Sequence, residues 1–155
     1  MKVESVFTNA HKRCFEVALT DRAYDFPYVK CDPAPSGRDP VTSVAVDPEI
    51  GQEGFTYVLR SGAEGTVLVD QVLEYNRDPA YFRDALVYDL TLQAQARVET
   101  SGLSKREIIR RLNTSATQFY RLLDQTNQAK TVDQMLRLLA VLDCDVKVEV
   151  VARGA

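Results

Sequence analysis

The sequence predicts an α+β protein, with a small antiparallel β-rich domain over residues 1–77 and a helical domain over 78–155 that ends in a β-strand. Two observations carry this. Short runs rich in Val, Phe, Tyr and Thr, several alternating in period two, fill the first half between Pro- and Gly-bearing turns. The second half has helical periodicity broken by Ser, Thr and Asp residues where helix caps belong.

In the first half the runs are VESVF, CFEVAL, TSVAV, FTYVL and TVLV. Asp32-Pro33, Asp39-Pro40 and Asp47-Pro48 mark strand boundaries, because proline lacks a ladder donor and fixes its own φ. The pair FTYVL-RSGAEG-TVLVD has the form of a β-hairpin with a glycine-bearing loop. The connection from Lys30 to Thr42 is expected to be an exposed, mobile loop.

In the second half, Asn76-Arg77-Asp78-Pro79 is a helix start. Asp78 stands at the N-cap and Pro79 at the first helical position, where a missing N–H costs nothing. The helix runs to about Thr100 and stops at Ser101-Gly102. Its stripe of Phe82, Leu86 and Leu90, widened by Ala85, Leu92 and Ala96, is expected to face a core. Three further helices are predicted over 104–112, 115–124 and 131–142. Ser104 with Glu107, Ser115 with Gln118, and Thr131 with Gln134 fit the capping box, with Leu103 and Ile108 placed for a hydrophobic staple. Between the first two, Asn113 stands where the chain must reverse, and asparagine tolerates the left-handed conformation. Ile108, Ile109, Leu112, Phe119, Leu122 and Leu123 take the inward faces, with Met135, Leu136, Leu139 and Leu142 completing a small core. The closing run VKVEVV alternates as a strand that pairs either with its twin across a two-fold axis or with the N-terminal sheet.

Composition narrows the function. The 155 residues are 45 % hydrophobic and 26 % charged, enough for a buried core. No run approaches the roughly 18 apolar residues of a membrane span. No apolar run follows Lys2, so no signal peptide is expected, and a cytoplasmic, non-membrane protein is. Cys14, Cys31 and Cys144 are widely spaced and read as reduced thiols. The single His11 has no neighbouring Cys or His with which to share a metal. Asp39, Asp47, Glu49 and Glu53 lack the order of a calcium loop and read as solvated turn acids. No catalytic residue, cofactor or metal site is assigned, because no nucleophile, base or cofactor loop stands out, and an enzyme would need an acidic pocket in the β half. The net charge is −3, but the acid lies mostly in the first half, where eight basic residues face thirteen acidic ones up to Asp78. Lys105, Arg106, Arg110, Arg111, Arg121 and Lys130 lie between Leu103 and Lys130, opposed only by Glu107 and Asp124. Such a local basic patch suits a focused anionic partner.

The run LSKREIIRRLNTSATQFYRLL resembles the helix-turn-helix of the lambda-repressor/Cro superfamily, including its antitoxin-type members. The resemblance spans Leu103 to Val151 and rests on Leu103-Ser104-Lys105-Arg106-Glu107, Arg111-Leu112, the cap Ser115, Phe119 and Arg121-Leu122. The family usually has Gly at the place of Asn113 and Ala at that of Ile109. The β half resembles, more diffusely, a small bacterial domain family of unknown function, which implies no activity. The helix-turn-helix resemblance implies a transcriptional regulator that binds double-stranded DNA, with helix 115–124 in the major groove. Ala116, Thr117, Gln118 and Arg121 then face base edges, and Lys105, Arg106, Ser115 and Tyr120 face phosphates. Gln118 would have to leave its capping box to reach a base, Asp124 would repel phosphate, and Arg110 and Arg111 are left out as local pairing residues. A homodimer on two half-sites about 34 Å apart is expected. The alternative is an antitoxin-like, protein-binding module whose acidic β half neutralises a toxin-like protein from a neighbouring gene, with or without DNA binding.

Overall fold

A computed structural model describes residues 1–154. The fold is α+β, with two antiparallel three-stranded sheets and five α-helices among the described residues. None of these helices is long and apolar enough to cross a membrane. Two compact units divide the chain, Met1–Phe82 and Arg83–Ala155.

In the first unit, β1 (Ser5–Asn9), β2 (Cys14–Ala18) and β3 (Ala23–Pro27) form one sheet in that order. The second sheet is β4 (Val41–Val46), β5 (Gly54–Leu59) and β6 (Glu64–Leu68). Alternation puts Phe15 and Val17 of β2, and Phe55, Tyr57 and Leu59 of β5, on inward faces, where all are buried. The Phe15 ring lies 4.9 Å from Phe55, 5.1 Å from Tyr57 and 4.9 Å from Tyr28, centroid to centroid. Aromatic rings from both sheets therefore fill one core, in the tilted and edge-on contacts their quadrupoles favour.

The predicted hairpin is β5–β6, joined through Arg60–Ala63 with Gly62 at φ 90°. Across it Tyr57 stands opposite Gly65, and its hydroxyl donates to the Pro33 carbonyl at 2.6 Å. A Cβ on Gly65 would overlap the Tyr57 hydroxyl and ring. The ring is fully buried and cannot swing away without losing its hydrogen bond. Gly65→Ala is expected to cost about 1–3 kcal/mol by overpacking, read as a lower urea midpoint with an unchanged slope.

Two expectations for this half need correction, and one strand was missed. The segment from Lys30 to Thr42 is pinned to the unit: Cys31 and Pro35 are buried, Pro33 accepts from Tyr57, and Asp39 accepts from the Ser61 N–H and hydroxyl at 2.8 and 2.7 Å. The run TVLV does not stay extended. The strand ends at Leu68, and helix α1 (Val69–Tyr75) begins at once. The only side chain at that start is Gln71, whose carboxamide accepts from the Leu68 N–H at 2.8 Å, so no Ser, Thr or Asp announces it. The strand β3 was also unannounced, being a short edge strand that ends on a proline.

In the second unit, α2 (Pro79–Thr100) starts in the first unit and runs on into this one. Asp78 caps it, accepting from the Tyr81 N–H at 3.0 Å. The apolar stripe is rotated from the expected one: Val87, Leu90, Thr91, Ala94 and Val98 are buried, while Phe82 and Leu86 are 44 % and 48 % exposed. The helix is apolar over much of its circumference, so periodicity alone did not choose a face. Val87, Leu90, Thr91, Ala94 and Val98 form the continuous 3–4 spacing.

Helices α3 (Lys105–Leu112), α4 (Ala116–Leu123) and α5 (Val132–Val141) follow, each inside its predicted caps. Ser104, Ser115 and Thr131 have extended backbones, and each side chain accepts from the N–H three residues on. Ile108, Leu112, Phe119, Leu122, Met135, Leu138, Leu139 and Leu142 form their core with Leu90, Ala94 and Val98 of α2. Leu138 takes the buried place expected for Leu136, which is 39 % exposed. The terminal run VKVEVV is not a strand of the isolated chain: it has no ladder partner among the described residues, and Val148 and Val150 are 86 % and 93 % exposed.

Candidate nucleic-acid interface

The link between α3 and α4 is three residues, Asn113 to Ser115. Asn113 adopts φ 54°, ψ 50°, and its N–H turns back to the Arg110 and Ile109 carbonyls. This left-handed cap is the conformation that asparagine reaches at lowest cost among residues with a side chain. It stops α3 and lets Ser115 start α4 at once.

The outward side of α4 carries most of the predicted base-facing residues. Ala116, Thr117 and Arg121 are exposed, and Gln118 is half-buried beside Thr114, Gln134 and Arg137. Only one half of the Ser115 box forms: the Gln118 N–H donates to the Ser115 hydroxyl at 3.1 Å, but the Gln118 carboxamide does not close the box. Gln118 therefore does not have to abandon a cap to reach outward. Ser115 uses its hydroxyl on that cap while staying exposed.

Of the predicted phosphate-facing residues, Lys105, Arg106 and Tyr120 are all exposed. The Lys105 ammonium stands 6.0 Å from the centre of the Tyr120 ring, within cation–π reach, which brings the start of α3 to the middle of α4. Arg106 and Arg121 make no ion pair among the described residues, whereas Arg110 and Arg111 are both committed to Glu107, at 2.5–2.9 Å. The hydrogen bonds from Arg110 and then Arg111 pull the Glu107 carboxyl down to about 2. Glu107 therefore pairs with these two arginines and does not close the box predicted with Ser104. Asp124 is likewise occupied. Its carboxylate accepts from the Thr126 N–H and hydroxyl at 2.9 and 2.7 Å, and these bonds hold its pKa below the ordinary value.

The far end of α4 shows what the sequence did not. Its last carbonyls, which lack helical partners, are met by side chains from several places. The Lys130 ammonium donates to Leu122 at 2.9 Å and to Asp124 at 2.7 Å. Gln95 of α2 donates to Leu123 at 2.7 Å, and Asn127 to Arg121 at 3.2 Å. Lys130 is almost fully buried, and desolvation pushes its pKa down. The Arg137 guanidinium caps α3 in the same way, at the Leu112 carbonyl. A basic residue near a helix end is a known signal, but Lys130 lies eight residues past Leu122, beyond a loop of unknown path. Lys130, counted with the basic patch from the sequence, is thus inside and unavailable to an anion.

Elsewhere two of the four acids named from the sequence, Asp39 and Asp47, do turn chemistry. Asp47 accepts from the Glu49 N–H and the Thr56 hydroxyl, and Asp39 from Ser61. No group of three His, Cys, Asp or Glu side chains is placed to hold a metal among the described residues. The pocket of about 370 Å³ in the first unit is lined by Arg13, Tyr28, Thr8 and Ser36, with no carboxylate among its lining residues. No family model, curated protein or solved structure matches the chain.

Proposed function

We propose that this protein is a sequence-specific regulator that binds double-stranded DNA, with α4 in the major groove and the start of α3 across the phosphates. The single observation that supports this most is the combination of free and committed charges on that face. Lys105, Arg106 and Arg121 make no ion pair among the described residues, while both nearby acids, Glu107 and Asp124, are engaged by their own neighbours. A reading helix must also be held still, since misplacement of its side chains forfeits base contacts. The side-chain caps at both ends of α4 supply that.

In this reading Arg121 addresses guanine O6 and N7 and Gln118 an adenine edge, and Ala116 and Thr117 offer methyl groups to thymine. Lys105, Arg106, Ser115 and Tyr120 address phosphate oxygens. Fluorescence anisotropy with the DNA upstream of the protein's own gene tests it. Arg121→Ala is expected to cost about 1–3 kcal/mol on a specific site and to relax preference at one base pair. Lys105→Ala is expected to weaken all sequences alike and to reduce the salt slope by about one. No binding at low salt overturns the reading. Co-purification of the neighbouring gene's product would then turn it to the antitoxin-like alternative.

A further inference from the structure

The cavity of about 370 Å³ in the first unit lies among strand β1, the β1–β2 turn, Tyr28, the segment 35–40 and the start of β4. Its volume falls in the range of roughly 300–1,000 Å³ that small-molecule sites occupy. Four polar side chains line it, and what they have to offer is mainly donors. The Arg13 guanidinium and the Thr8 and Tyr28 hydroxyls make no hydrogen bond or ion pair among the described residues. The Ser36 hydroxyl accepts from the Asp39 N–H at 3.1 Å and keeps its own proton to give. No carboxylate lines the cavity. Asp39, the acid nearest to Ser36 along the chain, spends both oxygens on Ser61, at 2.8 and 2.7 Å. We infer that this cavity binds a small monocarboxylate with an apolar body, its carboxylate on Arg13 and the hydroxyls and its carbon chain or ring against Pro35 and Val41.

Two features select the ligand. A single cation with no acid beside it balances one negative charge, and the planar guanidinium fork matches a carboxylate. A carboxylate group alone fills only a small part of the cavity, and Pro35 and Val41 give the rest an apolar wall. A third feature marks Arg13 as the anchor. It sits at φ 54°, in the left-handed region where glycine is the default and a β-carbon is at a disadvantage. An arginine there costs stability, and its side chain recovers none of that through a bond within the protein. The frame around it is already set. The Tyr28 N–H donates to the Arg13 carbonyl at 3.0 Å, and the Tyr28 ring packs edge-on to the buried Phe15. Ser36 and Asp39 exchange backbone hydrogen bonds at 3.1 and 3.2 Å. Donors held in this way favour binding, because little ordering remains to be done.

Titration of the isotope-labelled full chain with acetate, butyrate, hexanoate and benzoate, followed by amide chemical shifts, tests this without DNA. Saturable binding is expected, tightening as the apolar body grows, with the largest shifts at Thr8, Arg13, Tyr28 and Ser36. Inorganic phosphate, an anion without an apolar body, is expected to bind about ten-fold or more weaker than benzoate. Arg13→Gly relieves the left-handed backbone, so its urea midpoint is expected to equal or exceed that of the wild type. Its affinity for benzoate is expected to fall about ten-fold or more, while that for the neutral benzamide stays unchanged. Arg13→Asn, which reaches the same φ, is expected to behave alike. Tyr28→Phe keeps the ring on Phe15 and is expected to weaken benzoate about three-fold or more. No saturable binding by any of the four carboxylates overturns the inference. So do shifts centred elsewhere, benzoate affinity indifferent to both Arg13 variants, or phosphate binding as tightly as benzoate.

Discussion

Asp78→Ala is expected to lower the stability of the first unit by roughly 3 kcal/mol, the sum of a lost helix cap and hydrogen bonds to a buried charge. Asp78 is only 1 % exposed. Its carboxylate accepts from the Tyr24 hydroxyl at 2.6 Å, the Tyr81 N–H at 3.0 Å and the Arg22 guanidinium. Alanine leaves the tyrosine hydroxyl and the N–H without this acceptor, and Arg22 with only the exposed Asp21. The pH dependence has a definite sign. The Tyr24 hydrogen bond first, then the Tyr81 N–H and Arg22, hold the Asp78 pKa below its ordinary value of 3.8. Its contribution is therefore complete above that value and is lost as pH falls through the lower folded value. Urea midpoints of wild type and variant should differ most near neutrality and converge in acid. A gap that stays constant down to the acid limit would show that the carboxylate charge is not what stabilises the start of α2.

Phe119→Ala is expected to cost about 3–5 kcal/mol, the range for deleting a buried aromatic ring. Phe119 is fully buried, in one cluster with Ile108, Leu112, Leu122, Met135 and Leu138. Its ring lies edge-on to Tyr120 at 5.3 Å, so one residue of α4 anchors the core and the next faces outward. The second unit is small, and a loss of that size is a large part of the roughly 5–15 kcal/mol typical of a domain. Far-ultraviolet circular dichroism in urea should show the helical transition at a lower midpoint. On the proposed DNA-binding reading, binding to the upstream DNA should fall with it, although Phe119 presents nothing to solvent. Full DNA binding by a destabilised but folded variant would separate the α4 orientation from recognition.

The legible part of the chain was local. Ser104, Ser115, Thr131 and Asp78 were readable as caps because their chemistry acts within three residues, and Asn113 as a left-handed turn because that preference belongs to the residue itself. Ala116, Thr117, Arg121, Lys105, Arg106 and Tyr120 are on the outside of α3 and α4 because helical spacing put the apolar residues on the other side.

What the sequence determined by itself was thus the position of α2 through α5, their caps, and most of the candidate surface. Tertiary structure alone decided the rest. It chose which face of α2 is buried, since several faces were apolar enough. It let α1 begin without a cap residue, because Val69, Val72 and Leu73 are buried in the core of the first unit. It took Lys130 out of the basic patch and made it a cap for α4. In each case the partner lies on another turn or element, and the energy of burial or pairing appears only once the chain has brought the two together.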